Sequence, residues 1–311
     1  MRIHLITPSQ KGNRVSALRW ARILRELGHH VVIGQEYQGQ PCDLMVALHA
    51  RRSHVSVERF RQGHPDLPLI LAMTGTDLYC DIRIDPSAQQ SMEMASLLIV
   101  LQPMGIEELP QHLRSKARVI YQSAQKPPGK FSPKKNLFEV CVIGHMRPLK
   151  DPFRTARAAR LLPSSSRIQV VHVGAATSEE MEEGARVEQT SNPRYRWLGE
   201  LPRWRALRIL TGSRLLALSS QMEGGANVVC EALACSVPVL SSRIPGSIGI
   251  LGEDYPGYFP VGGTRALADL LERAESDKEF YATLKARCKD LKPLVSPTRE
   301  RRSWESLLRE L

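Results

Sequence analysis

Short apolar runs alternate with amphipathic segments along most of this chain, and this alternation limits the possible folds more than any other feature. Residues 2–7 have the pattern of a buried strand, and residues 15–27 have that of an amphipathic helix that ends at Gly28. Further strands are predicted over residues 31–34 and 44–48. Strands and helices that alternate in this way form a parallel sheet with helices on both faces, so the predicted fold class is α/β.

The alternation stops at residues 122–137, which are polar and rich in proline and predict a linker. It restarts beyond them, and a chain of 311 residues is long enough for two domains of about 150 residues each. We therefore predict an N-terminal domain over 1–121, a C-terminal domain over 138–296 and a final amphipathic helix over 297–311. Two doubly wound, Rossmann-like domains would face a central cleft, with ligands at the carboxyl ends of the strands.

The chain carries 43 basic and 32 acidic residues, and this basic excess suits phosphorylated ligands, nucleic acids or anionic membranes. No basic stretch is interleaved with aromatic residues as a stacking platform would need, so small phosphorylated ligands are favoured over nucleic acid. No segment approaches the roughly 20 apolar residues of a membrane span, and we expect a cytoplasmic protein that binds no membrane. The six cysteines form no CxxC pair and indicate neither zinc nor a disulfide framework.

A glycine-rich turn with a carboxylate on each side is the strongest candidate for a ligand site. Glu223 and Glu231 are separated by seven residues, and a helix is predicted to begin near Ala226. The N-terminus of a helix offers unpaired N–H groups to a diphosphate, and carboxylates accept hydrogen bonds from sugar hydroxyls. The spacing alone fits equally well a helix with two solvated glutamates.

This block resembles the E-x7-E donor motif of the retaining GT-B glycosyltransferases of family four, and the resemblance continues through ALACSVPVLSSRIPGS. It implies that the final helix crosses back to the first domain. The family usually has Phe-Gly where this chain has Gly225-Ala226, so we expect a loop shaped for a different sugar or acceptor. The resemblance implies a donor site for a UDP-sugar at Glu223, Gly224, Gly225, Ala226, Asn227 and Glu231.

A second loop, GHMRPLKD, follows the first strand of the C-terminal domain. The family usually reads G-R-x-x-x-x-K here, with the arginine and the lysine bracing the leaving diphosphate. Lys150 matches the lysine, His145 stands where the family has arginine, and Arg147 lies two residues later. The resemblance implies that Arg147 and Lys150 stabilise departing UDP, that Gly144 and His145 contact the donor, and that backbone near Leu198 reads the base. A solvated turn and a plain core strand are the alternatives.

Three loops of the N-terminal domain are predicted to converge, because they follow the first, third and fourth strands. The cations among them would form a pocket for a small dianion, since arginine binds phosphate in a bidentate manner. A solvated helix start is the alternative for Arg51 and Arg52. The candidate residues of this acceptor site are Lys11, Gly12, Asn13, Arg14, His49, Arg51, Arg52, Thr74, Thr76 and Asp77.

The chain also resembles, nearly end to end, the SenB family of selenosugar synthases from selenoneine biosynthesis. The segments that carry this resemblance include GNRVSALRWARILRELGH, DLMVALHARRS, TGTDLY, GHMRPLKDPFR and SSQMEGGANVVCEA. It implies that UDP-N-acetylglucosamine or UDP-glucose reacts with selenophosphate to give a 1-selenosugar, UDP and phosphate. No cofactor and no metal are expected. Functional coupling to selenophosphate synthetase and to the later selenoneine-forming enzyme is also implied.

An anionic selenium nucleophile needs no general base, so the site has to position it and stabilise the leaving UDP. Asp77 and His49 would assist the loss of phosphate or bind the sugar, and a purely structural part is the alternative for both. Two other functions stay open. One is an O-glycosyltransferase with a small phosphorylated or polyol acceptor, and the other is a nucleotide-sugar epimerase.

Overall fold

The computed structural model describes residues 1–8, 12–129 and 131–311. The chain divides into two compact units. Unit 1 comprises Met1–Gln122, Glu223–Gly225 and Pro297–Leu311, and unit 2 comprises Ser123–Met222 and Ala226–Ser296. Each unit contains one six-stranded parallel sheet, so the predicted α/β class with two doubly wound sheets is confirmed. None of the helices in the described part of the chain is long and apolar enough to span a membrane.

The sheet of unit 1 has the strand order β2-β1-β3-β4-β5-β6. Its strands are β1 (Arg2–Ile6), β2 (His30–Gly34), β3 (Leu44–Leu48), β4 (Leu69–Ala72), β5 (Leu97–Val100) and β6 (Ala117–Val119). The helices that accompany them are α1 (Gly12–Glu26), α2 (His54–Gly63), α3 (Ile82–Ile84), α4 (Pro86–Met94) and α5 (Met104–Glu107). A five-residue π-helical turn, Asp77–Asp81, precedes α3.

The core of unit 1 has two layers because successive side chains of a strand point to opposite faces of the sheet. In β3, Met45 and Ala47 pack with Phe60 of α2 on one face. Val46 of the same strand packs with Trp20 of α1 on the other face. All five residues of β3 are buried, as expected for a central strand of a parallel sheet covered on both sides.

The sheet of unit 2 has the order β12-β11-β10-β7-β8-β9. Its strands are β7 (Phe138–Ile143), β8 (Ile168–Val173), β9 (Tyr195–Trp197), β10 (Leu215–Leu218), β11 (Val239–Ser242) and β12 (Tyr258–Phe259). Its helices are α6 (Arg154–Arg160), α7 (Glu179–Ser191), α8 (Arg203–Gly212), α9 (Asn227–Cys235), α10 (Pro245–Leu251), α11 (Thr264–Ser276) and α12 (Lys278–Asp290).

The direction in which strands are added reverses once in each sheet. The reversal lies between β1 and β3 in unit 1 and between β7 and β10 in unit 2. Loops that follow neighbouring strands at such a switch point diverge and leave a crevice, which is where open α/β sheets bind ligands. The sequence predicted candidate residues after all four of these strands.

The last helix, α13 (Pro297–Leu308), belongs to unit 1. The ring of Trp304 packs edge to face against that of Trp20, with 5.1 Å between the ring centroids. The buried carboxylate of Glu300 accepts a hydrogen bond of 2.8 Å from Trp20 Nε1 and pairs with Arg19 at 3.0 Å. A carboxylate buried in this way is stable only when it is both paired and hydrogen-bonded, so these contacts fix α13 on α1.

Candidate functional site

The loop that follows β7 is held against the loop that follows β8. Gly144 N–H donates to the carbonyl of Val173 at 2.9 Å, and Met146 N–H donates to that of Ala175 at 2.8 Å. A Cβ atom at Gly174 would lie 1.9 Å from the Gly144 carbonyl oxygen. Only glycine at position 174 lets the two backbones approach so closely.

His145 stands where the glycosyltransferase family usually has arginine, and its ring bonds to the loop that follows β8. Its Nδ1 accepts a hydrogen bond of 3.2 Å from Ala175 N–H. A ring nitrogen that accepts carries no proton, so the neutral ring holds its proton on Nε2. This position therefore carries a neutral ring instead of a permanent cation.

The two cations of this loop differ in exposure. Arg147 is exposed, and its side chain makes no hydrogen bond or ion pair with any residue that the structure describes. Lys150 is half-buried. Its carbonyl accepts from Ser219 Oγ at 3.3 Å, and Gln221 N–H donates to the carbonyl of Leu149 at 2.8 Å. These contacts tie the loop after β7 to the residues that follow β10, as expected for neighbours at a switch point.

Helix α9 begins at Asn227, close to the predicted start, and no side chain caps it within the described residues. Glu231 lies in its second turn with a side chain that is only 12% exposed. Glu231 Oε1 accepts from Nε and Nη2 of Arg203 at 3.1 and 2.7 Å. Its Oε2 makes no hydrogen bond within the described part of the chain, so one oxygen is held while the other keeps its capacity to accept.

Arg203 was not among the sequence candidates, although a signal for it exists. It is the first residue of α8 and directly follows Pro202. A cation at the N-terminus of a helix opposes the helix dipole, so an anionic partner nearby stabilises it. The sequence does not identify that partner, because Glu231 lies 28 residues away along the chain.

The predicted base-reading segment follows β9. Leu198 N–H donates to the carbonyl of His172 at 2.9 Å, which leaves only the Leu198 carbonyl for a ligand. Beside it lies a cavity of about 530 Å³. Trp204, which is 55% exposed, lies at this cavity with the guanidinium carbon of Arg208 4.9 Å from its ring centroid. The lining residues are Leu198, Leu201, Trp204, Arg205, Arg208 and Ile209.

Glu223–Gly225, the first part of the E-x7-E segment, belongs to unit 1. A Cβ atom at Gly224 would lie 2.4 Å from the Thr74 carbonyl oxygen, and one at Gly225 would lie 2.6 Å from Leu101 Cβ. Gln122 Nε2 also donates to the Gly225 carbonyl at 2.7 Å. These close approaches explain why glycine stands at position 225, where the family usually has phenylalanine.

Asp77 is fully buried and serves three backbone N–H groups of unit 1. Its Oδ1 accepts from Gly75 at 2.7 Å and from Thr74 at 2.9 Å, and its Oδ2 accepts from Ala50 at 3.1 Å. These bonds join the loop after β4 to the loop after β3. They account for Asp77 as an anchor of both loops, and its catalytic role stays a prediction.

His49 is buried in a left-handed backbone conformation with φ of 79°, which is uncommon for a residue other than glycine. Its Nδ1 accepts from Arg52 N–H at 3.4 Å, so Nε2 carries the proton and donates to Thr76 Oγ1 at 3.2 Å. Burial lowers the pKa of His49, and the nearby Asp77 carboxylate opposes that shift. The ring is therefore neutral and occupied at both nitrogens.

The predicted acceptor residues that the structure describes lie in adjoining loops of unit 1, and their cations differ in ion pairing. Arg51 Nε lies 3.2 Å from Asp81 Oδ2, whose buried oxygen has this ion pair but no well-aligned hydrogen bond. Arg52 and Arg14 are exposed, and neither forms an ion pair with a described residue. Asn13 Nδ2 donates to Thr74 Oγ1 at 3.0 Å. Two of the predicted residues remain to be placed: Gly12 is the first residue of α1, and Lys11 lies outside the described residues.

The fold and this arrangement of loops define a glycosyltransferase of the GT-B type. Residues 124–290, more than half of the chain, match the family described as glycosyl transferases group 1, and the chain belongs to this family. No curated protein sequence matches the chain.

Solved structures support the same fold. Anabaena HepE in complex with UDP has a TM-score of 0.81 at 15% identity, with 100% of both chains covered. Anabaena HepE in complex with UDP-glucose has a TM-score of 0.79 at 16% identity, again with 100% of both chains covered. Sucrose-phosphate synthase from Thermosynechococcus elongatus has a TM-score of 0.80 at 15% identity, with 100% of this chain and 98% of the other covered. At these identities the likeness establishes the GT-B fold.

Proposed function

We propose that this protein transfers the sugar of a UDP-sugar, UDP-N-acetylglucosamine or UDP-glucose, to the selenium of selenophosphate. The observation that carries the donor half is the group of residues at the switch point of unit 2, where a cationic loop follows β7 and Glu231 lies in α9. The complexes of HepE with UDP and with UDP-glucose support a UDP-sugar as the donor. The selenium half rests on the resemblance of the sequence to selenosugar synthases.

In the proposed reaction the C1–O bond to UDP breaks as a C1–Se bond forms, and the electron pair of the broken bond leaves with UDP. Arg147 and Lys150 meet the charge that builds on the leaving diphosphate, and His145 contacts the donor beside them. Glu231 Oε2 accepts from the ribose hydroxyls, and the Leu198 carbonyl accepts from the base. Attack of water on phosphorus then breaks the Se–P bond and gives phosphate and the 1-selenosugar.

The acceptor half is assigned to the loops of unit 1, with Arg52, Arg14 and Lys11 as the cations for the selenophosphate dianion. Both nitrogens of His49 are engaged, so it has no lone pair with which to act as a general base. An anionic selenium nucleophile needs no such base. We expect a cytoplasmic enzyme that depends on selenophosphate synthetase for its acceptor.

The test is an anaerobic incubation of the protein with each UDP-sugar, with and without selenophosphate. UDP release is measured beside mass spectrometry for a product with the selenium isotope pattern. A selenium-bearing hexose or hexosamine that forms only with selenophosphate would support the proposal. UDP release with a polyol or a sugar phosphate, and no selenium product, would show an O-glycosyltransferase. Conversion of the UDP-sugar without any acceptor would show an epimerase.

A further inference from the structure

A chain of two hydrogen bonds runs through the interior of unit 2 and ends on the donor loop. His172, in β8, is 1% exposed. Its Nδ1 lies 3.0 Å from the hydroxyl of Tyr195, and its Nε2 lies 3.2 Å from the Gly144 carbonyl oxygen. Because β8 lies between β7 and β9, this single ring connects the two neighbouring strands at the edge where the donor loop begins.

The direction of both hydrogen bonds is fixed by chemistry. A carbonyl oxygen can only accept, so His172 Nε2 carries a proton and donates it to Gly144. Nδ1 is then unprotonated and accepts from the Tyr195 hydroxyl. Burial lowers the pKa of His172 to about 4, so the ring keeps this neutral form at neutral pH. Burial also raises the pKa of Tyr195, which keeps its hydroxyl protonated.

Gly144 is thus held through both of its backbone polar groups. Its N–H donates to Val173, and its carbonyl accepts from His172 and packs directly on Gly174. The residues that follow it at once are the ones assigned to the donor diphosphate. A peptide fixed at this point sets the direction in which His145 and Arg147 leave the strand.

We infer that His172 and Tyr195 are positioning residues that fix the donor loop for binding of the UDP diphosphate. Both side chains are buried, so we expect them to act on the donor only through this loop. Removing one hydroxyl from this chain should leave His172 Nδ1 without a donor and loosen the hold on Gly144. This inference rests on the proposed function, because it takes the loop after β7 to be the donor loop.

The test variant is Tyr195→Phe, which keeps the ring and removes only the hydroxyl. The chain offers a matched control in unit 1, where the Tyr37 hydroxyl lies 3.0 Å from His64 Nε2 with the rings edge to face, as in the Tyr195–His172 pair. We expect Tyr195→Phe to raise the Kd for UDP about 5-fold in calorimetry, the effect of one lost hydrogen bond. Tyr37→Phe should leave the Kd for UDP unchanged. It should lower the Tm by about as much as Tyr195→Phe does, because each variant loses one hydrogen bond.

A second readout needs no ligand. Amide hydrogen exchange at Met146, whose N–H bonds to Ala175 in the loop, should become faster in Tyr195→Phe and not in Tyr37→Phe. His172→Gln, which keeps a side-chain N–H donor, should lose less UDP affinity than His172→Leu.

The possible outcomes separate the role of His172 and Tyr195 from the donor and acceptor assignments. Unchanged exchange at Met146 and unchanged Kd in Tyr195→Phe would overturn the inference, as would equal effects of the two Tyr→Phe variants on UDP binding. If the wild-type protein binds no UDP, the donor assignment fails. Amide hydrogen exchange at Met146 still decides whether His172 and Tyr195 fix the loop. If UDP binds but no selenium product forms, only the acceptor assignment fails.

Discussion

At the scale of single residues, the carboxylate of Glu231 is the most direct test of the donor site. Arg203 holds one of its oxygens, and the other is assigned to the ribose hydroxyls of the donor. Glu231→Ala should therefore raise the Kd for UDP at least about 10-fold, the usual cost of losing a hydrogen bond to a charged group. Isothermal titration with UDP measures this change.

Two further variants separate the ribose assignment from a general effect on unit 2. Arg203→Ala should raise the Kd less than Glu231→Ala, because it removes the residue that orients the carboxylate and not the carboxylate itself. Glu182→Ala removes a carboxylate from an exposed Glu–Arg pair on α7 and should leave the Kd for UDP unchanged. An unchanged Kd in Glu231→Ala would remove Glu231 from the donor site.

Asp77 and His49 show where residue-level reading of the sequence stops. Both were predicted from their positions after strands, and the structure does place them in adjoining loops. The sequence does not indicate that both carboxylate oxygens of Asp77 accept hydrogen bonds from backbone N–H groups, one of them 27 residues away. It also does not indicate that His49 adopts a left-handed conformation, because nothing local favours it there.

At the scale of elements, α13 depends on one buried carboxylate for its attachment to α1. Glu300→Ala would leave Arg19 and Trp20 Nε1 without this partner in a buried environment. We expect it to lower the free energy of unfolding by about 3 kcal/mol, measured by chemical denaturation. Glu305→Ala on the same helix is the control, since its pair with Arg309 is exposed and should contribute less than about 0.5 kcal/mol. Equal losses in both variants would contradict this account of α13.

The boundaries of most elements follow from local pattern, but the π-helical turn Asp77–Asp81 does not. Ile82 N–H reaches back to the carbonyl of Asp77, which widens the turn by one residue. Asp77 and Asp81 are both buried as a result of this conformation and its packing. Carboxylates in a helical pattern normally predict a solvated face, so their burial next to Arg51 and His49 was not predictable from spacing.

At the scale of the whole molecule, we expect the two units to have separable functions. Arg52→Ala in unit 1 should raise the KM for selenophosphate about 10-fold, because it removes an exposed cation assigned to the dianion. The Kd for UDP should stay within a factor of about two, since the donor cations lie in unit 2. Arg22→Ala removes an exposed cation from α1 and should change neither constant. A parallel loss of both constants in Arg52→Ala would mean that Arg52 supports the fold of unit 1 instead.

The sequence by itself determined the two parallel sheets, because apolar runs and helical periodicity are local properties of the chain. It also located the polar loops, since the carboxyl ends of parallel strands lie along one edge. Only the tertiary structure decided which groups pair: Arg203 with Glu231, and His172 with both Tyr195 and Gly144. It also decided that Glu223–Gly225 belongs to unit 1. These outcomes depend on contacts between distant parts of the chain, which no spacing along the sequence encodes.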